Sequence, residues 1–324
     1  MYTHPEFDSK TTGKEVVTAF GNEQVKGKTF VITGPSEGTI GGETAVSLAH
    51  GSPKHMILAG RSEKKISPVI QRIKEISPST KVDFVQLDLS EPKAVVTAAK
   101  TVASLTDRID ALLNNAGIMC LKDYTTNSLG IELQFATNHL GHFVFTNELL
   151  PQIIKAKGRV VNTSSNGYGV SPVLFDDPSF ANGKTYHPWI AYGQSKTANI
   201  LFTLSLADRL KEQGVASFAL NPGLILESHL QDAVTPDMFA QGVALYTEVY
   251  GARGRDVPTL DPPKPLAAAA GTTLVALLDP AIRDRSGGFI SDCKFRDDLE
   301  DYATDAKQAE QLWELSEKLV GKKY

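Results

Sequence analysis

Along the 324-residue chain, short unbroken apolar runs alternate with longer stretches whose apolar positions recur every three or four residues. The runs are "GKTFVITG" (27–34), "HMILAG" (55–60), "VDFVQLDLS" (82–90), "IDALLNNAG" (109–117), "GRVVNTSS" (158–165) and "VASFALNPG" (215–223). They are rich in β-branched and aliphatic residues and close on turn-forming ones, which predicts six strands buried on both faces. Between them, "ETAVSLAH", "KKISPVIQRIKEI" and "KAVVTAAKTVASL" have helical spacing, with Pro68 limiting where the second of these helices can begin. Strands alternating with helices need crossover connections, so the pattern predicts an α/β domain built on a doubly wound parallel sheet, a Rossmann fold. That single domain is expected over 28–324, after a polar N-terminal extension at 1–27.

Two stretches interrupt the pattern, 166–190 and 231–265, the second carrying Pro258, Pro262, Pro263 and Pro265. Both follow strands, and open parallel sheets bind ligands beyond the carboxyl ends of their strands. Long irregular segments in a compact domain tend to be functional. The two are therefore expected to wall one pocket, with 231–265 as a substrate-capping insertion. Phe175, Tyr186, Trp189, Phe239, Tyr246 and Tyr250 are available to line it, or to pin the loops to the body.

Charge and composition narrow the function classes. A formal net charge of -4 and a pI near 6.0 give no electrostatic footprint for nucleic acid or an anionic membrane. Only Cys120 and Cys293 are present, which fits a reducing compartment without a disulfide framework. No apolar signal core opens the chain and no stretch approaches the roughly 20 apolar residues of a membrane span. A cytoplasmic protein without a membrane span is the expectation. Nothing in the pattern decides between a monomer and a homo-oligomer.

"TGPSEGTIGGETA" follows the first strand and opens the first helix, the setting of a dinucleotide-binding turn. Glycines admit a pyrophosphate close to the backbone, and the helix N-terminus offers unpaired amides and a positive dipole end. Gly34, Gly38 and Gly41, with Ile40 behind them, are the candidates. The second strand ends in "LAGRS", with Arg61 and no carboxylate, and Lys64 and Lys65 lie nearby. An acidic residue there would bind a ribose 2′-hydroxyl, whereas an arginine accommodates a 2′-phosphate. The cofactor is therefore expected to be NADP(H), with Glu37 as an opposing sign. Asp88 and Leu89, ending the third strand, are positioned to flank an adenine.

Tyr192 and Lys196 in "AYGQSK" are four residues apart on one helix face. In order along the chain stand the glycine turn, "NNAG" (114–117), "TNHLGHF" (137–143), "VVNTSS" (160–165), "YGQSK" (192–196) and "NPG" (221–223). With these motifs the chain resembles the short-chain dehydrogenase/reductase family from about Gly27 to the C-terminus. "TNHLGHFVFTNELL", "AYGQSKTANILF" and "LWELSEKL" make it most similar to the retinol dehydrogenase-like and WW-domain oxidoreductase-like branch.

The resemblance implies that Tyr192 is the proton donor or acceptor and that Lys196 binds the nicotinamide ribose while favouring the phenolate. It implies that Ser165 bonds the substrate oxygen, with Ser164 as its fallback, and that Asn138 holds a water on the proton path. Cofactor contacts are implied for Ser36, Asn115, Ala116, Gly117, Pro222, Gly223, Ile225 and Ser228, besides the turn glycines, Tyr192 and Lys196. The sequence departs from the family in three places. The turn is one residue longer than "TGxxxGxG", "NPG" stands for "HPG", and Glu227 takes the place of a threonine, leaving Ser228 to supply the hydroxyl. The implied activity interconverts a ketone or aldehyde and an alcohol on an apolar small molecule. A non-catalytic cofactor-binding sensor or scaffold, and an epimerase or dehydratase using the same Tyr and Lys, stand as alternatives. His139 and His142 lack the clustered partners of a metal site; no metal is expected. Cys120 reads as a small buried hydrophobe.

Overall fold

The computed structural model describes residues 2–232, 234–259 and 261–324. The chain opens with α1 (Gly13–Phe20), inside the polar extension. Thr12 caps it, accepting from the Glu15 amide while the Glu15 carboxylate accepts from the Thr12 amide, a reciprocal capping box. Val16, Val17 and Phe20 are its buried side.

Alternating units follow: β1 (Thr29–Thr33), α2 (Ile40–Ala49), β2 (His55–Gly60), α3 (Glu63–Ile76), β3 (Lys81–Gln86), α4 (Pro92–Leu105) and β4 (Ala111–Asn114). Next come the short α5 (Leu133–Phe135), a π-helical turn (Ala136–Leu140), α6 (Gly141–Ala156), β5 (Arg159–Thr163), a 3-10 turn (Asn166–Val170), α7 (Pro188–Arg209) and β6 (Ala216–Asn221). The last part holds α8 (Pro236–Ala252), α9 (Leu266–Leu278), β7 (Phe289–Ser291), β8 (Lys294–Arg296), α10 (Asp301–Thr304) and α11 (Ala306–Val320).

The strands form one sheet in the order β3-β2-β1-β4-β5-β6-β7-β8, parallel throughout except for β8. The fold is thus the doubly wound α/β sheet that the apolar runs imply. Side chains alternate between the two layers, as the strand period of two requires. Val31 enters the core formed with α4, α6, α7 and α11, while Phe30 and Ile32 enter the one formed with α1, α2, α3 and α9. The strand order reverses between β1 and β4, and this switch point opens the crevice where such sheets bind ligands.

Four details differ from the sequence reading. The sheet has two further strands, β7 and β8, whose three residues each are too short to register as periodic runs. The stretch 231–265 is irregular only in part: α8 crosses it, burying only Met238, Gly242 and Tyr250, too few to give a helical apolar stripe. Ala233 and Leu260, in the same stretch, lie outside the described residues. Pro68 sits inside α3 rather than at its start, where it cannot donate to Lys64 O; the Ser67 hydroxyl donates to that carbonyl instead, at 3.2 Å. The third strand stops at Gln86, so Asp88 and Leu89 stand on the loop beyond it.

Candidate active site

A cavity of about 1860 Å³ runs along the carboxyl ends of the strands, larger than a pocket for one small ligand alone. Its floor at the switch point is the glycine turn. Gly34 and Gly38 adopt left-handed φ values of 66° and 70°, a conformation only glycine takes without strain. A Cβ on Gly34 would lie 2.8 Å from that of Ala116, so the turn and the end of β4 are in close contact. Thr39 caps α2, accepting from Gly42 N at 3.1 Å and donating to Ser36 O at 2.6 Å. The cap absorbs the extra residue of the turn. It leaves the Ile40 and Gly41 amides in the first helical turn, where no partner exists within the helix. This cradle fits a pyrophosphate.

Arg61 follows β2 as an exposed residue of the cavity wall, together with Ser62, Lys64 and Lys65. Glu37 lies on the same wall, tied to α3 through its amide, which donates to Lys65 O at 3.1 Å. Three cations thus face one carboxylate at this end. Asp88 lines the cavity with Leu89 and is held by Ser90, whose hydroxyl donates to Oδ1 at 2.6 Å. Asn115 is fixed differently from a free cofactor ligand: its amide nitrogen donates to Thr33 O at 3.0 Å, and Thr33 Oγ1 accepts from the amides of Asn115 and Ala116. Asn115, Ala116 and Gly117 remain part of the wall.

At the middle of the cavity, α7 carries Tyr192 and Lys196, both 3% exposed. Lys196 Nζ donates to Thr163 O at 3.1 Å and stands 5.5 Å from the centre of the Tyr192 ring. Ser165 begins the 3-10 turn, its Oγ accepting from Gly167 N at 3.0 Å; a Cβ on Gly167 would lie 3.4 Å from that oxygen and 3.0 Å from the Tyr192 ring, so serine and tyrosine flank the same glycine. Ser164 is turned away, donating to Lys196 O at 2.8 Å. Burial raises the Tyr192 phenol above its ordinary value, with the nearby Ser165 hydroxyl opposing it. Burial also lowers Lys196 to about 8. Burial, and not the ammonium, sets the direction at Tyr192, whose phenol is raised rather than drawn toward phenolate.

Asn138 lies in the π-helical turn. Its Nδ2 donates to Ile118 O and Ser195 Oγ, each at 2.9 Å, and its Oδ1 accepts from Ile118 N at 2.8 Å. Both amide protons are committed, so only a remaining Oδ1 lone pair is available to a water. The amide first of all positions Ile118 beside Gly117. A Cβ on Gly117 would meet Asn138 Oδ1 at 3.1 Å and Lys196 Nζ at 3.6 Å, so these groups converge on one point.

After β6, Pro222, Gly223, Ile225 and Ser228 return to the cavity. Gly223 has φ 93°, and Ile225 packs with Ile40 of α2 and Ala269 of α9. Ser228 Oγ accepts from Leu230 N at 3.3 Å. Glu227 points elsewhere, accepting from Leu266 N at 2.6 Å at the start of α9. Of the six aromatic residues expected to line the pocket, Trp189, Phe239, Tyr246 and Tyr250 do so. Phe175 packs on the core, and the Tyr186 hydroxyl donates to Leu121 O at 2.7 Å.

His139 and His142 are packed in the body. His142 Nδ1 faces the Asn138 carbonyl and so must donate, leaving Nε2 to accept from Thr33 Oγ1 at 2.8 Å. Burial lowers it to about 4 and His139 to about 3, so both are neutral. Among the described residues no group of three or more His, Cys, Asp or Glu could hold a metal, and no helix is long and apolar enough to cross a membrane. Cys120 is buried against Tyr192 and Met238. Asn166, Asn221, Asp261 and Arg296 also line the cavity; Asn221 opens the "NPG" motif without having been singled out, and no local motif marks the other three.

The short chain dehydrogenase family model matches residues 28–175. The oxidoreductase fscI of Fusarium equiseti is 35% identical over 67% of this chain and 94% of its own. Retinol dehydrogenase 12 of Mus musculus is 33% identical over 93% of this chain and 88% of its own. A crystal structure of an uncharacterized protein from Mycobacterium paratuberculosis superposes with a TM-score of 0.69 at 27% identity, covering 94% of this chain and 98% of that one. The chain belongs to the short-chain dehydrogenase family, in its retinol dehydrogenase-like branch.

Proposed function

We propose that the protein is an NADP(H)-dependent oxidoreductase that interconverts a ketone or aldehyde and an alcohol. The observation that carries this reading is that Ser165, Tyr192 and Lys196 share one cavity with the glycine turn and with Arg61. A bound nicotinamide supplies or accepts the hydride. The side chains of this protein handle the oxygen and the proton. Negative charge builds on a carbonyl oxygen as it is reduced, and two hydroxyls fixed beforehand stabilise that charge without reorganising. Ser165 and Tyr192 supply those hydroxyls. With its phenol protonated at neutral pH, Tyr192 can donate to the oxygen of a carbonyl as it is reduced.

Lys196, at about 8, is mostly charged at neutral pH and holds a positive charge below the ring of Tyr192. The Arg61, Lys64 and Lys65 cluster supports a cofactor bearing a 2′-phosphate, since no carboxylate follows β2 to receive a 2′-hydroxyl. Trp189, Phe239 and Tyr246 support a substrate with a substantial apolar body. Purified protein given NADPH and a panel of aryl and alicyclic ketones and aldehydes should consume the cofactor. Tight cofactor binding with no consumption on any carbonyl would favour a non-catalytic role.

A further inference from the structure

The cavity is not aromatic throughout. At the end of β5, just past Ser165, a polar corner is assembled from four distant parts of the chain. Asn166 Nδ2 and Asn221 Nδ2 both donate to Asp261 Oδ2, at 2.8 and 3.0 Å. Arg296 Nη1 donates to Asn166 Oδ1 at 3.2 Å. The Asn166 amide donates to Asn221 Oδ1 at 3.3 Å, and Tyr246 Oη donates to Asn166 O at 2.8 Å. All five side chains line the cavity. The two amides use one oxygen of Asp261. Among the described residues nothing donates to the other, Oδ1.

One oxygen would suffice to pin the segment around 261 to the sheet. A half-buried carboxylate oxygen on the wall of a binding cavity that no side chain uses is met by water until a ligand enters, and a ligand that displaces the water keeps the charge-assisted bond only if it brings its own donor. Its bond to Asn166, the residue after Ser165, sets it on the same cavity wall as Ser165 and Tyr192, where a molecule whose carbonyl rests on those two hydroxyls can extend toward it. We propose that Asp261 is a specificity-determining residue that accepts a hydrogen bond from a hydroxyl of the substrate, so that the substrate class is hydroxylated ketones or aldehydes with an apolar body. This rests on the oxidoreductase reading above.

The test uses three matched sets of probes: tetralone, indanone and decalone, each as the plain ketone, its ring-hydroxylated form and the corresponding methyl ether. The ether keeps the size and the acceptor but loses the donor. The wild-type protein should prefer a hydroxylated ketone over its methyl ether by about 10-fold or more in kcat/KM in at least one set. In Asp261→Asn and Asp261→Leu that preference should collapse toward parity, with turnover of the plain ketone and NADPH affinity retained. Retained plain-ketone turnover shows that the variants are folded and catalytically intact. Parity in the wild type, or a preference untouched by both substitutions, overturns the proposal. A fall in NADPH affinity with unchanged preference also overturns it, by assigning Asp261 to the cofactor. Absence of turnover on every probe, with NADPH bound, is a failure of the oxidoreductase reading itself.

Discussion

Replacing Arg61 with aspartate reverses the charge at the position that the proposed function assigns to the cofactor's 2′-phosphate. Arg61 is exposed, so its contact with a 2′-phosphate is to be valued as a partly screened one. A charge-assisted hydrogen bond is worth roughly 1.5–3 kcal/mol, or about 10- to 150-fold in Kd. Two unit charges at 4 Å in water add roughly 1 kcal/mol of repulsion once the sign is reversed. Lys64 and Lys65 remain on the same wall and limit the loss, so NADPH should weaken by roughly 30-fold or more. NADH carries no 2′-phosphate, and an aspartate can accept from its 2′-hydroxyl. Its affinity should hold or improve. The assay is titration of nicotinamide fluorescence for both cofactors at low and high salt; the salt dependence of NADPH binding should flatten in the variant. Equal losses for the two cofactors would refute the assignment of Arg61 to the 2′-phosphate.

Two further outcomes follow from buried titrating groups. Because burial lowers Lys196 to about 8, its charge is present below that pH and lost above it. Carbonyl reduction should be level from about pH 6 to 7.5 and fall through about pH 8, and a rate that stays flat to pH 10 would show that the charge is dispensable. Glu132, fully buried at the start of α5, is raised to about 7 by burial, although it accepts from the amides of Gln134 and Phe135. Its folded value exceeds its unfolded one, so stability is full below about pH 4.5 and declines as pH rises through 7, by about 3 kcal/mol. Thermal unfolding of Glu132→Gln should lack this decline between pH 5 and 8; parallel curves for the two proteins would contradict it.

What was legible in the sequence follows from what is local. β1, β2, β4, β5 and β6 are buried along their whole length, and an apolar run is the direct signature of such a strand. The glycine turn is legible for the same reason, since its two left-handed residues and its helix cap all lie within Gly34–Gly41. Even so, the sequence could not say how the extra residue is absorbed; Thr39 does it as the cap. α8 was illegible because it faces the cavity with three buried residues, and α9 because it is apolar on nearly every side, with eleven of its residues buried. The polar corner around Asp261 was out of reach altogether. Asn166 and Arg296 lie 130 residues apart, and only the β5, β6 and β8 ends bring them together. Tyr192 and Lys196 were visible as a pair, but the protonation state of the phenol was not, since burial is a tertiary property.

The central claim is that Tyr192 gives the proton to a carbonyl oxygen while Arg61 and the turn hold the cofactor. The most direct test is NADPH consumption on a reducible carbonyl by the wild-type protein and by Tyr192→Phe, with NADPH affinity measured for both. Loss of the phenolic proton should lower kcat by about 100-fold or more and leave the NADPH Kd unchanged. Equal turnover in the two proteins would contradict the account.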